Sequence, residues 1–250
     1  MSKIGLKVWS TNFQYIQPAQ ALYSNNHFDY IELFSVPGTT DLIHHWSKLR
    51  IPFIIHAAHS ASGFNLSLPA MLEQNKTLAA EALKYADELD AKHIIFHPGT
   101  KGNIDETIRQ LDKIYDPRML IENKPYLGLD NTICVGSTPE EILKILKNFK
   151  IGFCLDFGHA IASSNSHKIN SLDYIQDFIK LNPSMYHLSD GTFNSEYDSH
   201  LNLGTGDYPL DDILALCEAS KKVTLETAKA KNDSLDDFIL DSEFVKKRWK

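Results

Sequence analysis

The sequence predicts an α/β fold, a (β/α)8 TIM barrel built as a single domain over residues 1–250, and three observations carry that prediction. The length, 250 residues, is typical of such a barrel and long enough to bury a core without disulfide staples. Short apolar runs of strand character alternate with helix-patterned segments from end to end, eight times over. Six of the eight runs are followed at once by a histidine, aspartate or glutamate, and a parallel barrel gathers its strand ends at one mouth, where catalysis occurs in this fold. The alternative is an open doubly wound sheet with ligands at its switch point. The chain holds no GxGxxG and no P-loop, which weighs against a nucleotide-binding sheet.

Taken in order, Ile4–Trp9 and Tyr30–Phe34 are the first two strands. The other six are Pro52–Ile55, His93–Phe96, Met119–Ile121, Gly152–Leu155, Met185–Tyr186 and Val223–Leu225. The clearest helix runs from Leu68 to Leu89, where Leu72, Leu78, Ala79, Ala82, Leu83 and Ala86 recur at helical spacing. Ser137-Thr-Pro-Glu-Glu opens another, with Pro139 in the first turn and acidic residues suited to the helix dipole. Ile142, Leu143, Ile145 and Leu146 then line one side of it; Pro209–Ala219 and Leu235–Val245 have the same character. Long loops are expected at Ala57–Leu68, Lys124–Gly136, Ala160–Asn170 and Ser189–Tyr208, rimming the mouth. No linker, low-complexity tract or short-period repeat divides the chain.

Composition narrows the function classes. Hydrophobic residues make up 43% and charged residues 23%, ordinary for a globular protein, and the net charge of −7 gives no global basic field for nucleic acid. Cys134, Cys154 and Cys217 show no paired spacing, and Cys154, inside an apolar strand, reads as a small core residue. Reduced thiols and a cytoplasmic location are the simplest reading. The N-terminal segment has no signal-peptide apolar region, and no stretch approaches the roughly 20 apolar residues that span a membrane. No membrane association and no obligate protein partner is expected.

Nine residues stand out as candidate metal ligands: His56, His97, Glu122, Asp156, His159, His187, Asp198, His200 and Glu226. Imidazoles and carboxylates concentrated at one place are the chemistry of a multi-metal site. Asp156-Phe-Gly-His159 offers a carboxylate and an imidazole three residues apart, although Asp156 would serve equally as a helix cap. Asp198 and His200 point to one side of an extended segment and can chelate together, while Gly204 and Gly206 allow sharp turns after them. Asp190 is placed to accept from the imidazole of His187. Glu122 and Glu226 end apolar strands, where a carboxylate is costly to desolvate unless it is metal-bound or ion-paired. Glu32, a similar strand-end acid, would either bind substrate or pair with a neighbouring cation, the second being expected, and His59 either replaces or supports His56. His27, His44, His45, His93 and His167 fall outside the pattern.

With these motifs laid out, the chain resembles the xylose-isomerase-like TIM-barrel superfamily, and within it endonuclease IV, also called AP endonuclease family 2. The resemblance rests on an ordered set: Phe96-His-Pro-Gly, Ile121-Glu-Asn, Leu155-Asp-x-x-His-Ala160, His187-Leu-x-Asp190, Asp198-x-His200-x-x-x-Gly204-x-Gly206 and Leu225-Glu-Thr227. It implies up to three zinc ions. His56 and His97 would hold one, bridged by Glu122 to a second that Asp156, His187 and Glu226 complete, and His159, Asp198 and His200 would hold a third. It also implies hydrolysis of a phosphodiester in DNA at abasic sites. The loops depart from the family: Ser35-Val-Pro-Gly-Thr-Thr-Asp carries no basic residue, and His59 stands where an intercalating aromatic is expected. Asn123-Lys-Pro-Tyr-Leu-Gly-Leu-Asp replaces a Gly-rich run. Phosphate contacts supply most non-specific DNA affinity, so these losses bear on the substrate and leave the metals in place.

The superfamily's other large activity is isomerisation or epimerisation of a sugar or sugar phosphate, with one Mn2+, Mg2+ or cobalt ion held by Glu122, Asp156, His187 and Glu226. Glu122 and Glu226, the two residues expected to be catalytic, would then move protons on either side of the substrate carbon. A barrel that only binds a metal or a sugar is the third, non-enzymatic reading.

Overall fold

The computed structural model describes residues 3–231 and 233–249. The apolar runs form eight parallel strands: β1 (Lys3–Trp9), β2 (Tyr30–Phe34), β3 (Phe53–His56), β4 (Ile94–Phe96), β5 (Met119–Glu122), β6 (Gly152–Asp156), β7 (Met185–Leu188) and β8 (Lys222–Leu225). Each pairs with its neighbour in the sequence, and β8 returns to β1 through Lys222–Lys3 to Leu225–Leu6, closing a TIM barrel. Closure leaves no free sheet edge.

Side-chain alternation along each strand separates two apolar layers. Ile4, Leu6, Val8, Ile31, Leu33, Ile55, Phe96, Ile121, Leu155, Leu188 and Leu225 face outward into the main core beneath the helices. Tyr30, Ile54, Ile95, Leu120, Cys154 and Met185 form a separate cluster inside the barrel. Gly5 belongs to the inner set because a Cβ there would lie 2.4 Å from the Tyr30 ring. That ring crosses the barrel to bond Thr224 Oγ1 at 2.9 Å.

The helix expected over Leu68–Leu89 spans Leu72–Glu88, preceded by a 3-10 turn at Pro69–Met71, and buries Leu78, Ala79, Ala82, Tyr85 and Ala86. Thr138 caps Pro139–Asn148 by accepting from the Glu141 N–H, with Pro139 in the first turn as expected. The segment Ala160–Asn170 corrects the sequence reading: it is not a loop, because a helix, Phe157–His167, starts directly at the end of β6. Its residues from Phe157 to Ser164 are all buried, so it carries no polar face and leaves no amphipathic period to read. Lys124–Gly136 is also more ordered than a plain loop. It folds as a hairpin with a Leu127–Ile133 bridge, and Cys134–Val135 pairs antiparallel with Gly99–Thr100. Among the described residues no helix is long and apolar enough to cross a membrane.

Candidate metal centre

One step above the inner apolar layer, every strand delivers one ionisable side chain to the mouth. In order they are Lys7, Glu32, His56, His97, Glu122, Asp156, His187 and Glu226. Six of them lie two residues beyond a member of the inner cluster, as alternation requires. His97 and Glu226 are the first residues past their strands. All are buried except Glu226, whose side chain is 22% exposed.

His159, Asp198 and His200 come from beyond the strands. Asp156 does both things its position allows: Oδ1 caps the Phe157–His167 helix from His159 N at 2.8 Å, while Oδ2 turns toward His187 Nδ1 at 3.8 Å. Asp198 approaches over Gly158, where a Cβ would stand 2.6 Å from its Oδ1. His200 adopts a left-handed backbone, φ 46°, inside the long loop after β7. The structure corrects the expectation for Asp190. Its carboxylate accepts the N–H groups of Gly191, Gly204, Gly206 and Tyr208 at 2.8, 2.8, 3.0 and 3.1 Å, and so ties down the loop that carries Asp198 and His200. Glu32 is what holds His187, accepting from Nε2 at 2.9 Å.

The nine candidates converge into three sets whose ligand atoms lie within 4.8 Å of one another. These are His56, His97 and Glu122; then Glu122, Asp156, His187 and Glu226; then His159, Asp198 and His200. Glu122 belongs to two, with Oε2 at 3.1 Å from His56 Nε2, 3.0 Å from His97 Nε2 and 3.6 Å from His187 Nδ1. His200 Nε2 is 2.7 Å and His159 Nε2 3.6 Å from Asp198 Oδ2. His59 lies outside these sets, with its ring 5.9 Å from that of His97. Cys154 is a member of the inner apolar cluster, and burial pushes its thiol up to about 12.

Two features of this chain fit divalent cations at these places. First, four histidines spend one ring N–H on a fixed acceptor: His56 Nδ1 on Ala57 O (2.8 Å), His159 Nδ1 on Asn123 O (2.9 Å), His200 Nδ1 on Glu226 O (3.0 Å) and His187 Nε2 on Glu32. Each then aims its other nitrogen at a carboxylate 2.7–3.6 Å away, a pairing that either a proton on the imidazole or a shared metal ion satisfies. Second, His187 Nδ1, Asp198 Oδ2 and Glu226 Oε2 are buried without a hydrogen-bond partner among the described residues. A buried polar atom left this way calls for an ion or water. The nine candidates offer nitrogen and oxygen, which suits zinc, manganese or iron, while the thiol of Cys154, also within 4.8 Å of Glu122 and His187 ligand atoms, is kept protonated by burial.

Lys7 is the member that sequence reading missed. Its Nζ lies 3.3 Å from Glu32 Oε1 and 2.6 Å from Glu226 Oε1, which supplies the cation expected beside Glu32. The signal was a lysine between Leu6 and Val8, with the same parity as Gly5. Burial works against its charge, but Glu226, Glu32 and Glu122 outweigh that and hold its pKa above the ordinary value. Burial also opposes ionisation of Glu32, yet His187 and Lys7 bring its carboxyl down to about 2. Burial, together with His56 and Lys124, lowers His59 to about 4.

A family model described as a xylose isomerase-like TIM barrel matches residues 24–244. A probable endonuclease 4 of Thermoplasma volcanium is 32% identical over 140 residues, 50% of this chain and 49% of that protein. Another, of Sulfurihydrogenibium sp., is 29% identical over 182 residues, 62% of each chain. The chain thus spans 49% and 62% of the length of these two relatives. Among solved structures, a D-tagatose 3-epimerase-like protein superposes with a TM-score of 0.73 at 18% identity, covering 98% of this chain and 96% of its own. Endonuclease IV from Thermus thermophilus superposes at 0.69 and 18% identity, covering 98% and 99%. At that identity the likeness speaks for the fold.

Proposed function

The chain belongs to the xylose isomerase-like TIM barrel family, and on that premise we propose that it is a divalent-metal-dependent phosphodiester hydrolase of the endonuclease IV type, cleaving DNA at abasic sites. The observation that carries this reading is the third donor set: His159, Asp198 and His200 stand beside two others that share Glu122. Zinc is the proposed metal, with His56, His97 and Glu122 holding one ion, Glu122, Asp156, His187 and Glu226 a second, and His159, Asp198 and His200 a third. When bound, such ions lower the pKa of coordinated water and neutralise charge on phosphoryl oxygens.

The remaining roles fall to the chain. Glu122 reaches two sets and would fix their separation. Glu32 and Lys7 orient His187 and Glu226, each taking one atom and leaving the other for the site. Glu226, partly exposed and lining the mouth, is the carboxylate proposed to meet substrate. A cytoplasmic setting agrees with three free cysteines. The test is a nicking assay on duplex DNA bearing one abasic site, with metal content measured alongside. About three zincs per chain and cleavage that His200→Ala abolishes are expected; an intact duplex after incubation with metal-loaded protein would overturn the assignment.

One observation favours a second reading. Glu122, Asp156, His187 and Glu226 form a complete quartet by themselves, the donor set of a one-metal sugar or sugar-phosphate isomerase or epimerase using Mn2+ or Mg2+. Solvent-proton exchange at a carbon next to a sugar carbonyl, lost in Glu226→Gln, with about one metal per chain, would favour it.

A further inference from the structure

The segment after Glu122 gives the mouth a wall with its own chemistry. Lys124 N donates to Gly136 O at 2.9 Å, Gly128 N to Thr132 O at 2.9 Å and Cys134 N to Tyr126 O at 2.9 Å, so the chain doubles back as a hairpin. Three ties hold it across the mouth. Lys101 N donates to Ile133 O at 2.9 Å, the Lys101 ammonium lies 3.6 Å from Asp130, and Tyr197 Oη from the loop after β7 donates to Asn131 Oδ1 at 2.5 Å. Together with the chain around Leu68 and Met71 the hairpin encloses a cavity of about 540 Å³, which also borders His97, His159, His200 and Glu226.

Two features of the lining define what fits. Lys124 lies half-buried in the wall, and among the described residues it has no carboxylate within 4 Å. Lys7, by contrast, is matched by Glu32 and Glu226, and Lys101 by Asp130. An unmatched ammonium beside a cavity with metal-type donors attracts an anion. Leu68, Met71, Leu127 and Leu129 make another part of the lining apolar. Ser60, Thr100 and Thr132 elsewhere in the lining can meet polar groups, whereas an aromatic or apolar group would bury surface against this wall. The volume falls in the range that encloses a small ligand, roughly 300–1,000 Å³.

We propose that this cavity is a substrate pocket for a small phosphoester bearing an apolar or aromatic group, with Lys124 binding a phosphate oxygen and the Leu127–Leu129 side of the hairpin packing on that group. The proposal rests on the phosphodiester-hydrolase part of the reading above and takes a small ester, in place of duplex DNA, as what enters this cavity. For bis(4-nitrophenyl) phosphate, a water oxygen bonds to phosphorus, one aryl P–O bond breaks, and 4-nitrophenyl phosphate and 4-nitrophenol leave, the water supplying the phenol proton.

The experiment pairs calorimetric binding with turnover on zinc-loaded protein. Phenyl phosphate should bind about tenfold more tightly than ribose 5-phosphate or inorganic phosphate. Lys124→Gln should weaken all three about tenfold, and Lys124→Arg should restore most of the loss. Leu127→Ser should remove the phenyl preference alone. With bis(4-nitrophenyl) phosphate, Lys124→Gln should raise KM and leave kcat close to its starting value. Equal binding of phenyl phosphate and ribose 5-phosphate, or indifference to Lys124→Gln, overturns the pocket even where the diester is hydrolysed. Lys124-dependent, phenyl-selective binding without hydrolysis of any diester upholds the pocket as a ligand site and overturns the hydrolase reading instead.

Discussion

Lys7 Nζ and Glu226 Oε1 meet at 2.6 Å across the seam where β1 and β8 close the barrel. The contact matters on both sides. It stabilises an ammonium that is otherwise out of water, and it occupies one oxygen of a carboxylate whose other oxygen faces His187 Nδ1 at 2.9 Å. Five carboxylates, Glu32, Glu122, Asp156, Asp198 and Glu226, crowd this region with Lys7 as their lysine. In the metal-free protein Lys7 compensates Glu226 and, with His187, Glu32, while histidines face Glu122, Asp156 and Asp198.

Lys7→Met should therefore destabilise the metal-free protein by about 3 kcal/mol, because removing one partner leaves buried carboxylates unpaired. Urea unfolding measures it. Saturating zinc should recover part of the loss, since ions bound to the folded state stabilise by mass action. An unchanged unfolding midpoint without metal would mean that the ion pair contributes nothing.

Glu32 acts on the site through His187. It accepts the Nε2–H, which leaves Nδ1 as the nitrogen facing Glu122, Asp156 and Glu226. Partners of this kind set the tautomer and ring angle of a ligating histidine, and their loss typically costs roughly 10–100-fold in metal affinity. Glu32→Gln should lower zinc affinity at that set by about tenfold, read by competition with a chromophoric chelator. Affinity equal to the parent would show that the bond is incidental.

How much of this was legible in the sequence depends on whether a residue contrasts with its neighbours. His56, Glu122, Asp156 and His187 could be found because each interrupts a run that is apolar on both faces, as strands of a covered parallel barrel are. Lys7 interrupts such a run too, but a lysine in a first strand reads equally well as a solvent-facing residue until the partners Glu32 and Glu226 are in view. The helix Phe157–His167 has the opposite difficulty, since Ala160, Ala162, Ser163 and Ser164 are all buried and offer no contrast between faces. The roles of Asp190 and the Lys124–Gly136 hairpin depend on hydrogen bonds between loops, which follow no period.

Asp190 supports a prediction about the third donor set. Its carboxylate gathers four N–H groups over residues 191–208, and the Asp190–Leu201 backbone pair adds bonds of 2.9 and 2.8 Å. Asp190→Ala would leave those donors unpaired, the ones on Gly191 and Tyr208 in buried residues, at a cost of about 3 kcal/mol. The loop between should loosen, so that metal content falls by one ion of the proposed three while the barrel still unfolds cooperatively. Faster proteolysis within residues 192–200 is expected alongside. A full metal complement in the variant would separate Asp190 from the site.

His93 gives a pH dependence that is independent of the metal centre. It lies just before β4, half-buried, and burial with the nearby charge of Lys222 brings its pKa down to about 4. Unfolded, a histidine titrates near about 6.5, so the unfolded chain takes up this proton first as the pH falls. The sign follows: above about 6.5 the group contributes nothing, and between about 6.5 and 4 it favours unfolding progressively more. His93→Gln cannot take up that proton in either state. The variant should therefore lose less stability than the parent when metal-free protein is taken from about pH 7 to about pH 5, measured by urea midpoints at each pH. Parallel midpoints across that window would place the acid sensitivity elsewhere, among the buried carboxylates and histidines at the mouth.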